Sequence, residues 1–353
     1  MCCGTRNGFN LATKQQTHSV DFGSENVRAT LSLIRREFAA YFTGPAGYAT
    51  MFGFLILTGL LFNLNLNLLT HEGPVGVEYP MQVMFGGADS PVIALVAGVL
   101  FWGLFPAITG MLTMRLLAEE RGTGSIELLM TAPIRDWQVV AAKFVACFWF
   151  YLVLWLPTLV YLPVLADLHA EWKAAFTVWS VLMLVGLPLI VVSKIAFLRD
   201  GPGWLIYGVG LLGFVATGVG GYFHYTTDAE HILKLTAGID LAPIWTSYLG
   251  IVLAGGMFLS LGLFVSSLVK SQLEAWMMSL LLGLIFVLPG LLRWVLEPGS
   301  VGYELMYFIS VPEHFRRTFT RGQLDTRPLV LYVTVTLFCL FLTVRSLEAR
   351  RMR

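Results

Sequence analysis

Long stretches without any charged residue interrupt this sequence, and they constrain its fold more than any other feature. Eight such stretches run over residues 38–71, 90–114, 144–166, 174–193, 201–227, 241–269, 275–292 and 328–344. An α-helix needs about 20 mainly apolar residues to cross the hydrocarbon core of a bilayer. The first seven stretches approach or exceed that length, and the last is slightly shorter. The chain is therefore predicted to be an all-α polytopic transmembrane helix bundle.

Eight spans follow from these stretches. They are expected near residues 46–68, 91–114, 141–165, 174–195, 203–223, 243–269, 274–295 and 328–346. Charged residues make up only 13% of the 353 residues, against about 25% in soluble domains. The polar segments that remain are short, so they are expected to be the connections between spans.

The distribution of lysine and arginine predicts the orientation of the spans. With the N-terminus inside, the inner segments hold 16 of the 23 basic residues. The shorter outer loops hold only Lys173 and Lys234, and short loops follow the positive-inside rule most closely. Both termini are therefore predicted to face the cytoplasm, in a plasma or inner membrane. The sequence does not indicate a role for the long outer loop 296–327.

Four segments are expected along the chain. They are a disordered cytosolic tail at 1–30, an interfacial amphipathic helix at 31–45, a transmembrane domain at 46–347 and a basic cytosolic tail at 348–353.

The interfacial helix has a charged cluster and an apolar face, and a Gly44-Pro45 break turns the chain into the membrane. Its candidate residues are Arg35, Arg36, Glu37, Tyr41 and Pro45. An ordinary juxtamembrane anchor is the alternative interpretation.

Composition and motifs exclude several functions. A net charge of +1 argues against a nucleic-acid partner. The four cysteines form no C-x-x-C pair, and the histidines show no ligand spacing, so no metal site is predicted. No G-x-x-x-x-G-K-[ST] loop is present for ATP, and no hydrolase motif appears. The chain is therefore not expected to be an enzyme or to bind a cofactor itself.

One compact charged segment, EERGTGSIELLMTAPIRDWQ (Glu119–Gln138), lies between two apolar stretches. Gly122 and Gly124 are expected to end the preceding helix, and Gly124 can cap a new one. Glu127 then lies at its third position, where a carboxylate favours the positive helix end. Pro133 ends this helix after about two turns.

The apolar residues Ile126, Leu129 and Met130 share one face of that short helix. Asp136 is expected to cap the following span, and Lys143 is expected to extend back to water. Such a helix between two spans suits contact with a soluble partner, but rest on the lipid surface is equally open.

The segment AEERGTGSIELLMTAPIRDWQVVAAKF (Ala118–Phe144) resembles the cytoplasmic loop of ABC exporter membrane subunits of the type-2 permease class. More narrowly, it is similar to gliding-motility-associated and copper-enzyme-maturation permeases. The matching residues are Glu119, Glu120, Arg121, Gly124, Glu127, Leu128, Leu129, Pro133 and Lys143. Ser125 replaces the usual threonine, and Met130 the third leucine.

Three further segments resemble the same class. They are RREFAAYFTGPAGY before the first span, LGLFVSSLVKSQLEAW at a later inner turn, and PEHFRRTFTRGQLDTRPLVLY with LTVRSLEARR near the C-terminus.

The resemblance implies a mechanism and its partners. Two permease subunits, as a homodimer or heterodimer in membrane lipid, would bind two copies of a separate ABC ATPase that carries the ATP and Mg²⁺. ATP-driven closure of the ATPase dimer would push on the cytoplasmic loop and shift the spans between inward- and outward-facing states. The implied ATPase-coupling residues are Glu119, Glu120, Arg121, Gly124, Ile126, Glu127, Leu129, Met130 and Pro133.

The chain departs from that class in one respect. The class usually shows six spans, whereas residues 170–242 here hold two additional candidates between the third and fourth. An even insertion preserves the orientation of every later span, but it leaves the role of the inserted pair open.

Two alternatives to an exporter permease remain. The first is a self-contained carrier or channel for a small uncharged solute, although no inverted repeat is detectable. The second is a membrane scaffold that transports nothing. The sequence does not identify a substrate, and lipid, polysaccharide, peptide and copper- or sulfur-related cargo all stay open.

Overall fold

The computed structural model describes residues 30–71, 91–124, 135–160, 241–290 and 299–351. All regular structure within these ranges is helical. The helices are α1 (Thr30–Thr43), α2 (Pro45–His71), α3 (Pro91–Thr113), α4 (Ala118–Gly122), α5 (Asp136–Trp155), α6 (Leu241–Leu268), α7 (Gln272–Val287), α8 (Val301–Ile309), α9 (Val311–Arg317) and α10 (Thr326–Arg351). Two 3₁₀ turns, Leu156–Val160 and Phe319–Arg321, follow α5 and α9.

The helices confirm the predicted all-α bundle. Six predicted spans overlap the described residues, and α2, α3, α5, α6, α7 and α10 occupy their described parts. By length and hydropathy, four of the described helices can each cross a membrane, and the bent pair α1–α2 is a fifth candidate. The predicted spans at 174–195 and 203–223 lie outside the described residues.

Helix α6 forms the centre of the described bundle. It packs against α3, α5, α7 and α10. In its apolar 18-residue stretch 78% is buried, whereas in the corresponding stretch of α10 only 17% is buried. Small residues allow these close contacts: a Cβ at Gly255 would lie 2.2 Å from the Tyr151 ring of α5, and one at Gly262 would lie 2.1 Å from Thr113 Oγ1 of α3. Small residues at helix contacts are typical of membrane bundles.

Several polar groups inside the bundle are satisfied by neighbouring helices. The Tyr151 hydroxyl donates to the Ile251 carbonyl oxygen at 2.9 Å, and the Trp276 indole N–H donates to the Ala107 carbonyl oxygen at 3.0 Å. Because an unpaired polar group is costly in hydrocarbon, these bonds specify how α5 meets α6 and how α7 meets α3.

The chain bends by 67° between α1 and the first part of α2, at the Gly44-Pro45 position. Leu33 and Phe42 of α1 are buried, whereas Arg35 and Arg36 are exposed, so α1 has one face against the bundle. The location of α1 in the membrane interface stays a prediction.

Much of the long loop predicted at 296–327 is folded. Within it, α8 and α9 form a helical hairpin, and Ser310 lies between them with its side chain accepting the Glu313 N–H at 3.4 Å. Phe315 and Phe319 have no exposed surface and contact α6 at Gly250. Helix α9 and the 3₁₀ turn after it are therefore part of the core, whereas most of α8 is exposed or half-buried.

Candidate functional site

We call the end of the bundle formed by residues 112–124, 135–143 and 267–272 the basal end. It contains the described parts of the charged segment, residues 119–124 and 135–138. The chain leaves α3 through a turn and enters the five-residue helix α4. The Ser266 hydroxyl of α6 accepts the backbone N–H groups of Leu117 and Ala118 at 3.2 and 3.0 Å. Arg121 donates to the Ser267 carbonyl oxygen. These bonds attach α4 to the end of α6.

Lys143 occupies the centre of the basal end. Its side chain is 1% exposed, and its ammonium nitrogen lies 2.7 Å from Glu120 Oε1 and 3.3 Å from Glu37 Oε2. The prediction that Lys143 extends to water is therefore wrong. Two carboxylates, one on α1 and one on α4, meet its charge, which makes burial possible because buried charges need such partners.

The ion pairs of Lys143 connect three elements. Lys143 lies on α5, Glu120 on α4 and Glu37 on α1, while Arg36 adds a 2.8 Å pair to Glu37. Because α4 and α5 flank residues 125–134, any displacement of that segment acts on both helices that hold this network.

The start of α5 also differs from the prediction. Arg135, and not Asp136, occupies the N-cap position, and its backbone N–H is accepted by Gln138 Oε1 at 3.0 Å. A side chain at the third position that returns to the cap amide is one half of a capping box. Asp136 lies in the first turn instead, where its charge favours the positive helix end.

Helix α1 is held by an aromatic contact as well as by charge. The Tyr41 ring stacks on Phe150 of α5 with centroids 4.6 Å apart, and its hydroxyl donates to the Leu112 carbonyl oxygen at 3.1 Å. Tyr41 thus joins α1 to both α3 and α5.

The structure brings part of the predicted site together. Glu37, Tyr41, Glu120 and Arg121 contact other elements, whereas Arg35, Arg36 and Glu119 are exposed. Gly124 follows α4 with φ of +74°, a left-handed conformation that favours glycine. The remaining coupling residues, Ile126, Glu127, Leu129, Met130 and Pro133, lie outside the described residues.

Sequence reasoning missed the pairing of Glu37 with Lys143. A signal was present, because Glu37 lies four residues from both Leu33 and Tyr41 on the buried side of α1. A carboxylate at that position needs a cation from the bundle.

A second polar cluster lies at the opposite end, around α9. Glu313 is 1% exposed and pairs with Arg316 at 2.9 Å and Arg317 at 3.2 Å, while Arg317 also stacks over Tyr303 and Tyr307. Arg317, which Glu313 holds in place, therefore connects α9 to α8.

His314 is buried beside this cluster, although it lies within the predicted outer loop 296–327. Burial lowers the pKa of His314 to about 4, and hydrogen bonds with the backbone of Tyr307 and Phe308 oppose that shift only partly. The ring is therefore neutral near pH 7, which allows Nδ1 to accept from the Tyr332 hydroxyl, 3.0 Å away. This contact ties α9 to α10.

Comparison with known families identifies the bundle. Residues 7–343 match the family model described as ABC-2 family transporter protein. The chain belongs to the ABC-2 family of transporter proteins. No curated protein sequence matches it.

Membership of the ABC-2 family gives the chain a role as a membrane-embedded permease subunit of an ABC transporter. ABC-2 permeases normally work with an ATPase subunit. The family match spans nearly the whole chain and includes the basal end and the α8–α9 hairpin.

Proposed function

We propose that this ABC-2 permease is the membrane-spanning subunit of an ATP-driven exporter, and that a separate ATPase binds its 119–138 segment. ATP and Mg²⁺ belong to that ATPase. The substrate is left open. The resemblance of residues 118–144 to gliding-motility-associated and copper-enzyme-maturation permeases supports that subclass as the finer proposal.

The observation that carries this proposal is the buried Lys143 network. A force applied to residues 125–134 reaches α4 and α5 first, because these helices flank the segment. Lys143 then links both helices to α1 through Glu120 and Glu37, and α1 leads into the span α2. The basal end therefore offers a continuous physical route from a docked partner to the membrane helices.

The proposal includes a second permease subunit, identical or related, and location in the plasma or inner membrane. The family supports the pairing, and the excess of basic residues on the predicted inner side supports docking of the ATPase in the cytoplasm.

A pull-down from native membranes in mild detergent tests the docking site. We expect an ATPase with a P-loop to co-purify with the wild-type chain. The double variant Glu127→Arg, Leu129→Asp should co-purify at least about tenfold less ATPase than the wild type. The variant reverses a charge and removes an apolar anchor at the proposed contact.

The matched control is Leu273→Asp, Glu274→Arg, which makes the same two changes at the start of α7, where both side chains are exposed. This control should retain the ATPase. Full retention by the Glu127, Leu129 variant would place docking elsewhere. Recovery of the intact wild-type chain without any ATPase, even after chemical cross-linking, would favour a self-contained carrier or a scaffold.

A further inference from the structure

A cavity of about 710 Å³ opens where the α1–α2 bend leaves the end of α3. This volume lies within the range of about 300–1,000 Å³ that is typical of small-molecule sites. Its lining includes apolar and small residues such as Ala49, Met111 and Leu112, together with charged residues of α1, α4, α5 and the turn before α4. The cavity therefore offers both apolar and charged groups to a ligand.

The charges around the cavity are not all balanced by one another. Glu37 and Glu120 are matched by Arg36 and Lys143, as described above. Arg115 and Glu119 also line the cavity, and neither forms an ion pair within the described part of the chain. One cation and one anion are thus left to face a ligand.

The position of these two residues points to the lipid headgroup region. Arg115 follows the last residue of α3, Thr113, by two positions, and Glu119 lies on the next short helix. Met111 is 37% exposed one turn before Arg115, and Ala49 is exposed on α2. The cavity therefore has exposed apolar residues on the membrane helices and charged residues just beyond their ends.

We propose that this cavity binds one phospholipid with a phosphoethanolamine headgroup. The Arg115 guanidinium would hold the phosphate, for which its fork of N–H donors is suited. The Glu119 carboxylate would accept N–H bonds from the ammonium group, and the first part of an acyl chain would cover Met111. A choline headgroup offers no N–H donor to Glu119, and an anionic glycerol headgroup offers no cation.

This site shares Glu119 with the proposed ATPase-binding segment 119–138, but its existence depends on neither an ATPase nor transport. A bound lipid there would fill the space beside the Lys143 network and support the angle between α1 and α2. On the predicted orientation, the lipid comes from the cytoplasmic leaflet.

The test is native mass spectrometry of the full chain released from nanodiscs. The nanodiscs contain equal amounts of dioleoyl phosphatidylethanolamine, phosphatidylcholine and phosphatidylglycerol. We expect one phosphatidylethanolamine per chain, retained at least about tenfold over the other two lipids, because only its headgroup forms hydrogen bonds between charged groups with both Arg115 and Glu119.

Three variants separate the contributions of Glu119, Arg115 and the cavity volume to lipid binding. Glu119→Gln should lower the retention of phosphatidylethanolamine to that of phosphatidylcholine. Arg115→Gln should lower the retention of both lipids, because it removes the phosphate contact. Ala49→Phe should lower all lipids by filling the cavity without changing charge. The matched controls, Arg345→Gln and Glu348→Gln, alter another exposed Arg–Glu pair, 2.8 Å apart on α10, and should change nothing.

Two results would overturn the proposal. One is the absence of a preference for phosphatidylethanolamine over phosphatidylcholine that depends on the three cavity variants. The other is displacement of the lipid by soluble glycerophosphoethanolamine at equal concentration, which would identify a site for the free headgroup.

Discussion

The Lys143 ammonium group lies inside the bundle and is held by carboxylates from α1 and α4. A buried ion pair adds little stability compared with a well-packed apolar replacement, but removal of one partner leaves an uncompensated charge. At the scale of single residues, the basal end is therefore sensitive to changes that break the charge balance and tolerant of changes that preserve it.

Replacing Lys143 tests this balance. Lys143→Met leaves Glu37 and Glu120 without their shared cation, so we expect the free energy of unfolding to fall by about 3–5 kcal/mol. The triple variant Lys143→Met, Glu37→Gln, Glu120→Gln removes the charges together and should recover most of that loss. The variants are ranked by stability, measured as the temperature at which half of the detergent-solubilised protein remains monodisperse.

Arg36→Gln is the control for Lys143, because Arg36 contacts the same Glu37 but its side chain is 62% exposed. Exposed substitutions usually change stability by less than about 0.5 kcal/mol. A triple variant no more stable than Lys143→Met would show that Lys143 contributes by packing and not by charge.

At the scale of elements, the α8–α9 hairpin closes one end of the bundle. The backbone of α6 approaches it closely at Gly250, where an added Cβ would lie 2.8 Å from Phe315 and 2.9 Å from the Phe319 ring. Thr246 donates to the Phe319 carbonyl oxygen at 2.5 Å, and Gly322 ends the 3₁₀ turn with φ of +76°. The position of the hairpin thus depends on a small residue in a distant helix.

Gly250→Ala should destabilise the protein. Alanine normally favours a helix by up to about 1 kcal/mol over glycine, but overpacking against two buried rings costs about 1–3 kcal/mol. We expect a lower apparent Tm in nanodiscs.

Gly103→Ala is the matched control for Gly250, because no atom lies within 4 Å of its added Cβ. It should leave the apparent Tm unchanged or raise it. Equal effects of the two substitutions would contradict the close contact between α6 and the hairpin.

At the scale of the whole molecule, orientation decides which end meets the ATPase. The charge bias places the basal end in the cytoplasm and the α8–α9 hairpin outside. The contacts within the bundle do not depend on which side is which, so orientation requires its own measurement.

Single cysteines in a chain without its four native cysteines provide that measurement. Gln323→Cys, in an exposed turn after α9, should react with a membrane-impermeant maleimide in intact cells. Arg36→Cys on α1 should react only after permeabilisation. The opposite pattern would reverse the orientation and would place the basal end outside.

More of the fold than of the candidate site could be predicted from the sequence. The apolar helices at six predicted spans were predictable because the transfer of an apolar segment into lipid depends on that segment alone. The start of α5 was predicted to within one residue: Asp136 was expected to be the cap, but Arg135 occupies that position because Gln138 accepts its backbone N–H. The role of the charged segment 119–138 stays a prediction, and the Lys143–Glu37 pair was missed because its members are distant in the chain.

The sequence by itself determined that this protein is an all-α membrane bundle of the ABC-2 type, since hydropathy and the motif around Glu119–Lys143 are local properties. Only the tertiary structure decided that Lys143 is buried, that His314 is neutral and enclosed, and that Arg115 and Glu119 line one cavity. Burial and pairing depend on which helices meet, and helix contacts are set by packing across the whole bundle.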